Sequence, residues 1–409
     1  VMRLVGSEMC IRDRNDTNQF STNSFASLAT ATVSDSTMSI ADLNGAIAQA
    51  NTATGKSTSE AGATVFSVSS GATTNTGAEA AFETLLGSET NGLIALTDQN
   101  LTVDSGSISV VNAKLLAATT TGTVTASIDT TESVDSLKTL YDTGETNAYT
   151  ITITADAGDA TGSTAAEFNA INSATSVAVN MNNVTALAAS TLSDVNTLAL
   201  SINAGQFSNG AGLTTVAISD ATIDATALAT AIDNLDGING GSSTDMTLAS
   251  EATINVDAGE VTHMLLDETE NRLDIVDQNI VVTGNISVDD ANLLSETTTG
   301  TVTASIATTE SIAELKTLTE TSNAYTIVIS SSDATATAGD LLAIEGKTTV
   351  IIDASEVTAI SGSFNQITTL YGSDGVIGLG NENITSTEDL TVAAANVFDN
   401  LTKGTVTAE

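Results

Sequence analysis

The sequence predicts a β-rich repeat protein: a parallel β-solenoid with short helices, in which each coil of about 25 residues supplies one strand and one short helix or arc. Three observations carry that expectation. The segment TTTGTVTASIDTTESVDSLKTL at Thr119–Leu140 returns as TTTGTVTASIATTESIAELKTL at Thr297–Leu318. Each copy runs on to a Tyr-containing strand, NAYTITIT ending at Thr154 and NAYTIVIS ending at Ser330. Short runs of alternating Val and Ile recur under one template, as strands with one buried face do. Between them lie segments whose apolar residues stand three and four apart, the spacing of one helix face. The chain contains no Pro, which suits interior strands that must all donate their amides to a neighbour. A string of ~100-residue immunoglobulin-like sandwiches is the alternative, suggested by the 104-residue offset between Gly300 and Gly404.

Taken from the N-terminus, residues 1–14 (VMRLVGSEMCIRDR) hold Cys10, the only Cys, and Arg3, Arg12 and Arg14. LVGSEMCIRDR resembles, residue for residue, a translated transposon-end adapter from sequencing-library preparation, and this segment is expected to be non-native. A signal-peptide start is the other reading, but no apolar stretch of ~7 to 15 residues comes after it. Residues 15–90 are expected to form divergent N-terminal coils, and residues 91–409 regular ones. LTKGTVTAE at Leu401–Glu409 begins a third copy of the large repeat, so the chain is expected to be a piece of a longer array. Upstream of the copies, LIALTDQNL from Leu93, LDIVDQNI from Leu273 and VIGLGNENI from Val376 share two alternating apolar residues and then an Asn before an aliphatic. Gly122, Gly300 and Gly404 are offset by 178 and 104 residues, multiples of one smaller unit.

That unit has two parts. SVAVNMNNVTAL (Ser176–Leu187), TVAISDATID (Thr215–Asp224), TINVDAGEVTHM (Thr253–Met264) and TVIIDASEVTAI (Thr349–Ile360) each read as a strand ended by an Asp or Asn that can bond nearby amides and turn the chain. AAEFNAI (Ala165–Ile171), ATALATAIDNL (Ala225–Leu235), ESIAELKTL (Glu310–Leu318) and AGDLLAI (Ala338–Ile344) read as helices. Asp224 is placed to cap the second, and Glu310 to lend a favourable first-turn charge to the third. Helices this short need their neighbours to persist. About fifteen coils at ~4.8 Å each would make a rod of roughly 70 Å.

The strings GLGNENITSTEDLTVAAANVFDNLTKGTVTA, TTTGTVTASI and VIIDASEVTAISG resemble the β-strand repeats of very large, acidic, Thr/Ala-rich bacterial proteins, often marine, similar to type I-secreted adhesins and toxins with calcium-binding RTX tracts. The resemblance covers most of residues 91–409. It implies an extracellular or cell-surface protein with a structural or adhesive, non-catalytic role. Calcium is the cofactor it suggests, and cell-surface glycans or other surface-protein domains are the partners.

Charge sets the exclusions. Fifty acidic residues against ten basic ones give −40, or −41 without residues 1–14. Such a surface repels phosphate backbones and anionic headgroups, so neither nucleic acid nor membrane is expected as a partner. No apolar run approaches the ~20 residues that span a bilayer. One Cys and one His build neither a zinc site nor a disulfide framework. For calcium, GGSSTDMTL (Gly240–Leu248) approaches the RTX nonapeptide, with Ser243 where Gly is expected, and makes Asp245 the candidate ligand; a Gly-rich loop is the alternative reading. DAGD (Asp156–Asp159) and DETE (Asp267–Glu270) read as solvated acidic faces. GTVTA places Thr123 with Thr125, Thr301 with Thr303, and Thr405 with Thr407 on one strand face, as Thr150, Thr152 and Thr154 do, a pattern shared with ice-binding solenoids and interrupted here by VIID and INVD. A carbohydrate-active β-helix enzyme is the catalytic alternative, since paired carboxylates are plentiful. His263 reads as structural, and Tyr149 and Tyr325 as coil-packing residues. The expected function is a structural or adhesive spacer; the alternatives are the β-helix enzyme and an ice- or glycan-binding module.

Overall fold

The computed structural model describes residues 30–33, 37–53, 65–68, 74–143, 147–154, 162–181, 184–208, 212–238 and 244–408. The adapter-like segment, DAGD and the loop residues Gly240–Ser243 lie outside them. The described chain is an α/β fold in which many short parallel strands, gathered in several sheets, alternate with thirteen α-helices. Seventeen strand pairs among the described residues are parallel. Immunoglobulin-like sandwiches, which are antiparallel, do not fit that pairing. No helix among the described residues is long and apolar enough to cross a membrane.

The chain divides into two compact units, residues 1–214 with 237–242, and residues 215–236 with 243–409. In the first, strands Thr37–Ser39, Thr74–Ala78, Leu101–Ser105, Val124–Ser127 and Ala148–Thr150 lie side by side in that order. In the second, Thr222–Asp224, Thr253–Asp257, Asn279–Ile286, Val302–Ile306 and Ala324–Thr326 form one sheet. Thr335–Thr337, Ala359–Gly362, Asn383–Ser386 and Val406–Ala408 form another. Sequence order is spatial order, because parallel neighbours need a crossover and each crossover here contains a helix. Ile280 lies opposite Val302, Thr303 opposite Ala324, Ala359 opposite Asn383 and Ile384 opposite Val406, 21 to 24 residues apart.

The repeats hold more strand than the single segment expected. A second, shorter strand joins its own sheet, as Leu273–Asp274 pairs with Asp245–Leu248 and Val376–Ile377 with Ile352–Asp353. The Asp turn makes this possible: Asp353 Oδ1 accepts the Ser355 amide at 3.0 Å, and after that turn Ala359–Gly362 begins the second strand. The shared strand template therefore occupies two places. TVAISDATID and TVIIDASEVTAI give short strand, turn, second strand. TINVDAGEVTHM gives strand Thr253–Asp257 and then helix Val261–Thr269. The residues just downstream decide the outcome: Met264 continues a helical apolar face from Val261, whereas Ser361, Gly362 and the N-cap Ser363 stop the chain and start a helix later.

The helices read from spacing are present at Ala165–Ser173, Ala225–Ile238 and Ala338–Glu345, while ESIAELKTL forms only the short helix Ile312–Leu315. Asp224 caps as expected, its Oδ1 accepting the Ala227 amide at 2.9 Å. Glu310 does not sit in a first turn. Ser311 is the cap, and Glu310 lies before it. Ser or Thr caps recur at Ser109, Ser133, Thr164, Thr191, Ser287, Ser311, Thr337, Ser363 and Thr391. At about 1 kcal/mol per cap, the hydroxyl-rich composition is in part a stock of helix starts. Inward strand residues such as Ile280, Val302, Ala304 and Tyr325 are buried, as are helix residues Ala291, Leu294 and Leu315. Burial of a Val or Leu contributes about 1.5–3 kcal/mol.

Candidate functional site

The most developed constellation of side chains is a joint between successive repeats, built three times from nearly the same residues. Gln99, Gln278 and Glu382, in TDQN, VDQN and GNEN, are buried. Buried Thr120, Thr298 and Thr402 each donate a hydroxyl to the backbone carbonyl of that residue, at 2.6 Å in all three cases. The same hydroxyls accept the amides of Gly122, Gly300 and Gly404 at 2.9, 3.0 and 3.0 Å. Next in the chain, Asn100, Asn279 and Asn383 accept the amides of Thr123, Thr301 and Thr405 on Oδ1 at 2.8, 2.9 and 2.9 Å. The Gln/Glu-Asn segment and the GTVTA segment are thus two halves of one joint, and they satisfy backbone groups that burial would otherwise orphan. Glycine is required because a Cβ there would stand 2.4, 2.2 and 2.2 Å from the carbonyl oxygens of Gln99, Gln278 and Glu382.

A second joint lies on the other side of the same strand. Asn147 and Asn323 accept the amides of Val124 and Val302 on Oδ1 at 2.9 and 2.8 Å. Tyr149 and Tyr325 are buried, as their coil-packing role requires, and donate to the carbonyls of Ala113 and Ala291 at 3.4 and 3.2 Å. Burial pushes both phenols up, so they stay neutral donors.

Acidic residues serve the helix starts. The first helical amides of Val110, Ile312 and Phe364 are accepted by Glu132, Asp333 and Glu388, 21 to 24 residues downstream, at 2.8, 3.0 and 2.8 Å. Glu310, at the position matching Glu132 in the second copy, has its carboxyl pushed up by burial. Unsatisfied amides carry the positive end of the helix dipole, so carboxylates suit this position. Two lysines bridge to the next helix downstream: Lys138 reaches Glu167 at 2.7 Å, and Lys316 reaches Asp340. The ammonium of Lys316 holds the Asp340 carboxyl below its ordinary range.

One charge cluster was not legible as such. Arg272 Nη1 meets Asp236 Oδ2 at 2.9 Å, and its Nη2 meets Asp267 Oδ1 at 2.6 Å and Glu270 Oε2 at 3.0 Å. Asp267 is only 2% exposed, so DETE is not a solvated face at its first residue. Burial pushes the Asp267 carboxyl up against the pull of Arg272. His263, with its side chain 45% exposed, places Nδ1 3.8 Å from Asp267 Oδ2. Leu228, Glu260, His263, Met264 and Asp267 line a hollow with room for about one water, far below the ~300 Å³ of a small-molecule site. Asp245 stands exposed at the start of Asp245–Leu248, opposite Thr215. Among the described residues no group of three His, Cys, Asp or Glu side chains could hold a metal ion.

The TxT faces line up across neighbouring strands. Ser39, Thr76, Thr102 and Thr125 are in register in the first unit. Thr337, Ser361, Thr385 and Thr407 are in register in the second. Each row has four hydroxyls, all exposed or half-buried. Comparison with protein-family models, with curated proteins and with solved structures finds no match.

Proposed function

We propose that this chain is a non-catalytic spacer, a stiff acidic parallel β-solenoid that forms part of a large exported bacterial surface protein and presents other domains. The observation that carries the reading is the thrice-repeated joint: polar side chains are engaged between successive coils instead of converging on a cavity. Arrays held by nearest-neighbour contacts lengthen by adding units. In this reading the hydroxyl rows are the faces that would meet a glycan, and the negative charge keeps neighbouring rods apart. Calcium, if it serves, would act near Asp245.

Duplication of one period, residues 359–382, tests the architecture. The duplicated chain is expected to melt as cooperatively as the parent and to lengthen by about 4.8 Å in the scattering pair-distance distribution. Inserting half a period should unfold the neighbourhood. Equal tolerance of both insertions would overturn the solenoid. A second test uses charge: at 10 mM ionic strength the screening length is about 30 Å, against about 10 Å at 0.1 M. Far-UV circular dichroism should therefore show structure weakened at low salt and restored by sodium chloride. Restoration by micromolar calcium at fixed ionic strength would add a bound ion, and identical spectra under all conditions would count against the charged-rod reading.

A further inference from the structure

We propose that the outward face of helix Val110–Thr119 is a self-association surface, through which two copies of this chain pair side by side about a twofold axis. The chain supplies its own comparison. Helices Val110–Thr119 and Val288–Thr297 lead into the two copies of the large repeat, 178 residues apart, and share Val, Ala and two Leu at matching positions. Their outward positions differ. Where the second helix carries Asp289, Asp290, Asn292 and Glu296, the first carries Val111, Asn112, Lys114 and Ala118. The first helix thus lacks three carboxylates and has one Lys more, in a chain of net charge −40. Among the thirteen α-helices of the described residues, Val110–Thr119 alone has a Lys and no carboxylate.

Apolar surface stands in place of the charge. Val111 is 65% exposed and Leu115 49%, four residues apart on one side of the helix, with exposed Ala118 three residues further on. The helix packs beside the helical turn Lys138–Thr143, whose Tyr141 is 60% exposed where the second copy has Thr319. Carboxylates bordering this face are already engaged: Glu83 accepts Asn112 Nδ2 at 3.3 Å, and Asp135 and Glu167 hold the Lys138 ammonium. Charge identifies the occupant. A basic partner would be drawn to the acidic faces elsewhere and gains nothing from a face without acids. Absence of carboxylates favours an approaching surface that is itself acidic, and a second copy brings the same −40 to the encounter. An apolar stripe set against its own copy is self-complementary, the isologous contact of a twofold dimer. With three large side chains to cover, the contact belongs to the small, weak class of interfaces.

The test is sedimentation velocity of the full chain from micromolar to submillimolar concentration. A reversible monomer–dimer equilibrium is expected, and it should tighten as sodium chloride shortens the screening length from about 30 Å at 0.01 M to about 3 Å at 1 M. Screening relieves the repulsion between two acidic chains and leaves the apolar contact intact. Val111→Asp with Ala118→Glu, which gives this helix the residues its counterpart carries, should weaken the dimer at least tenfold without changing circular dichroism. Leu200→Asp, at an exposed leucine of helix Leu192–Asn203, should leave it unchanged. In a Cys10→Ser background, Leu115→Cys treated with diamide should give a disulfide-linked dimer, because the twofold axis brings the middle of the stripe near its own copy; Leu200→Cys should not. A chain that stays monomeric at every concentration and salt, a dimer that tolerates Val111→Asp with Ala118→Glu, or one that loosens as salt rises overturns the surface. Covalent capture at Leu200→Cys and not at Leu115→Cys puts the contact elsewhere and overturns it as well.

Discussion

Gly300→Ala is expected to lower the free energy of unfolding by about 3 kcal/mol, the upper end of the cost of overpacking. The added Cβ would stand 2.2 Å from the Gln278 carbonyl oxygen, 2.5 Å from its carbon and 2.9 Å from the Asn279 nitrogen. All three are backbone atoms, so no side chain can swing aside. Nor is that backbone free to retreat. The Gln278 carbonyl accepts Thr298 Oγ1 at 2.6 Å, and Asn279 Oδ1 accepts the Thr301 amide at 2.9 Å, so relief of the clash breaks the joint. Gly259→Ala is the control, since nothing lies within 4 Å of its Cβ position; it should stay within about 0.5 kcal/mol of the parent. Urea unfolding followed by circular dichroism reads both. Because an array can lose cooperativity between units, hydrogen exchange should accompany it. Protection is expected to fall first at Asn279–Ile286 and Val302–Ile306, the strands on either side of the joint. If the two variants behave alike, the close approach at Gly300 is not a constraint on stacking.

Both halves of that joint are visible in the sequence, as the Asn-aliphatic ends of TDQNL and VDQNI and as TTTGTVTA, yet their partnership is not. The bond from Thr298 to Gln278 spans 20 residues, and only the stacking register brings the two together. Helices were legible where an apolar stripe succeeds a small polar residue, as in Thr337 before Ala338–Glu345. The strand read in TVIID is Ile352–Asp353, but the one after its Asp turn, Ala359–Gly362, has too few alternating apolar residues to show a period and could not be read. The strand template misleads for a related reason. Five residues of alternation state which face is buried but not which sheet receives the strand, and TINVD and TVIID take different sheets. The acidic cluster carried a signal that went unused: Val261, Met264 and Asp267 are spaced by three on one helix, so the Asp continues the apolar stripe. Arg272, the only Arg after residue 14, is its natural counterion.

Arg272→Met is the second large effect, a loss of about 3–5 kcal/mol, as when one partner is removed from a buried ion pair. The size comes from what is left behind. Asp267 would keep its charge at 2% exposure with only the His263 imidazole, 3.8 Å away, beside it, while Asp236 and Glu270, now without Arg272, would add repulsion. Asp267→Asn should cost less, because Arg272 retains Asp236 and Glu270. The double variant Arg272→Met with Asp267→Leu should recover most of the loss, since an apolar pair of similar volume needs no desolvation of charge. The pH dependence has a definite sign. Burial already sets the Asp267 carboxyl above its ordinary value, so folding favours its protonated form and the charged form costs stability as pH rises. Without Arg272 that cost grows. The deficit of Arg272→Met should therefore be greatest at neutral pH and shrink as pH falls toward the aspartate range, whereas that of the double variant should be nearly flat. A deficit in Arg272→Met that does not change between pH 7 and pH 5 would mean the guanidinium acts by packing its stem and not by neutralising Asp267.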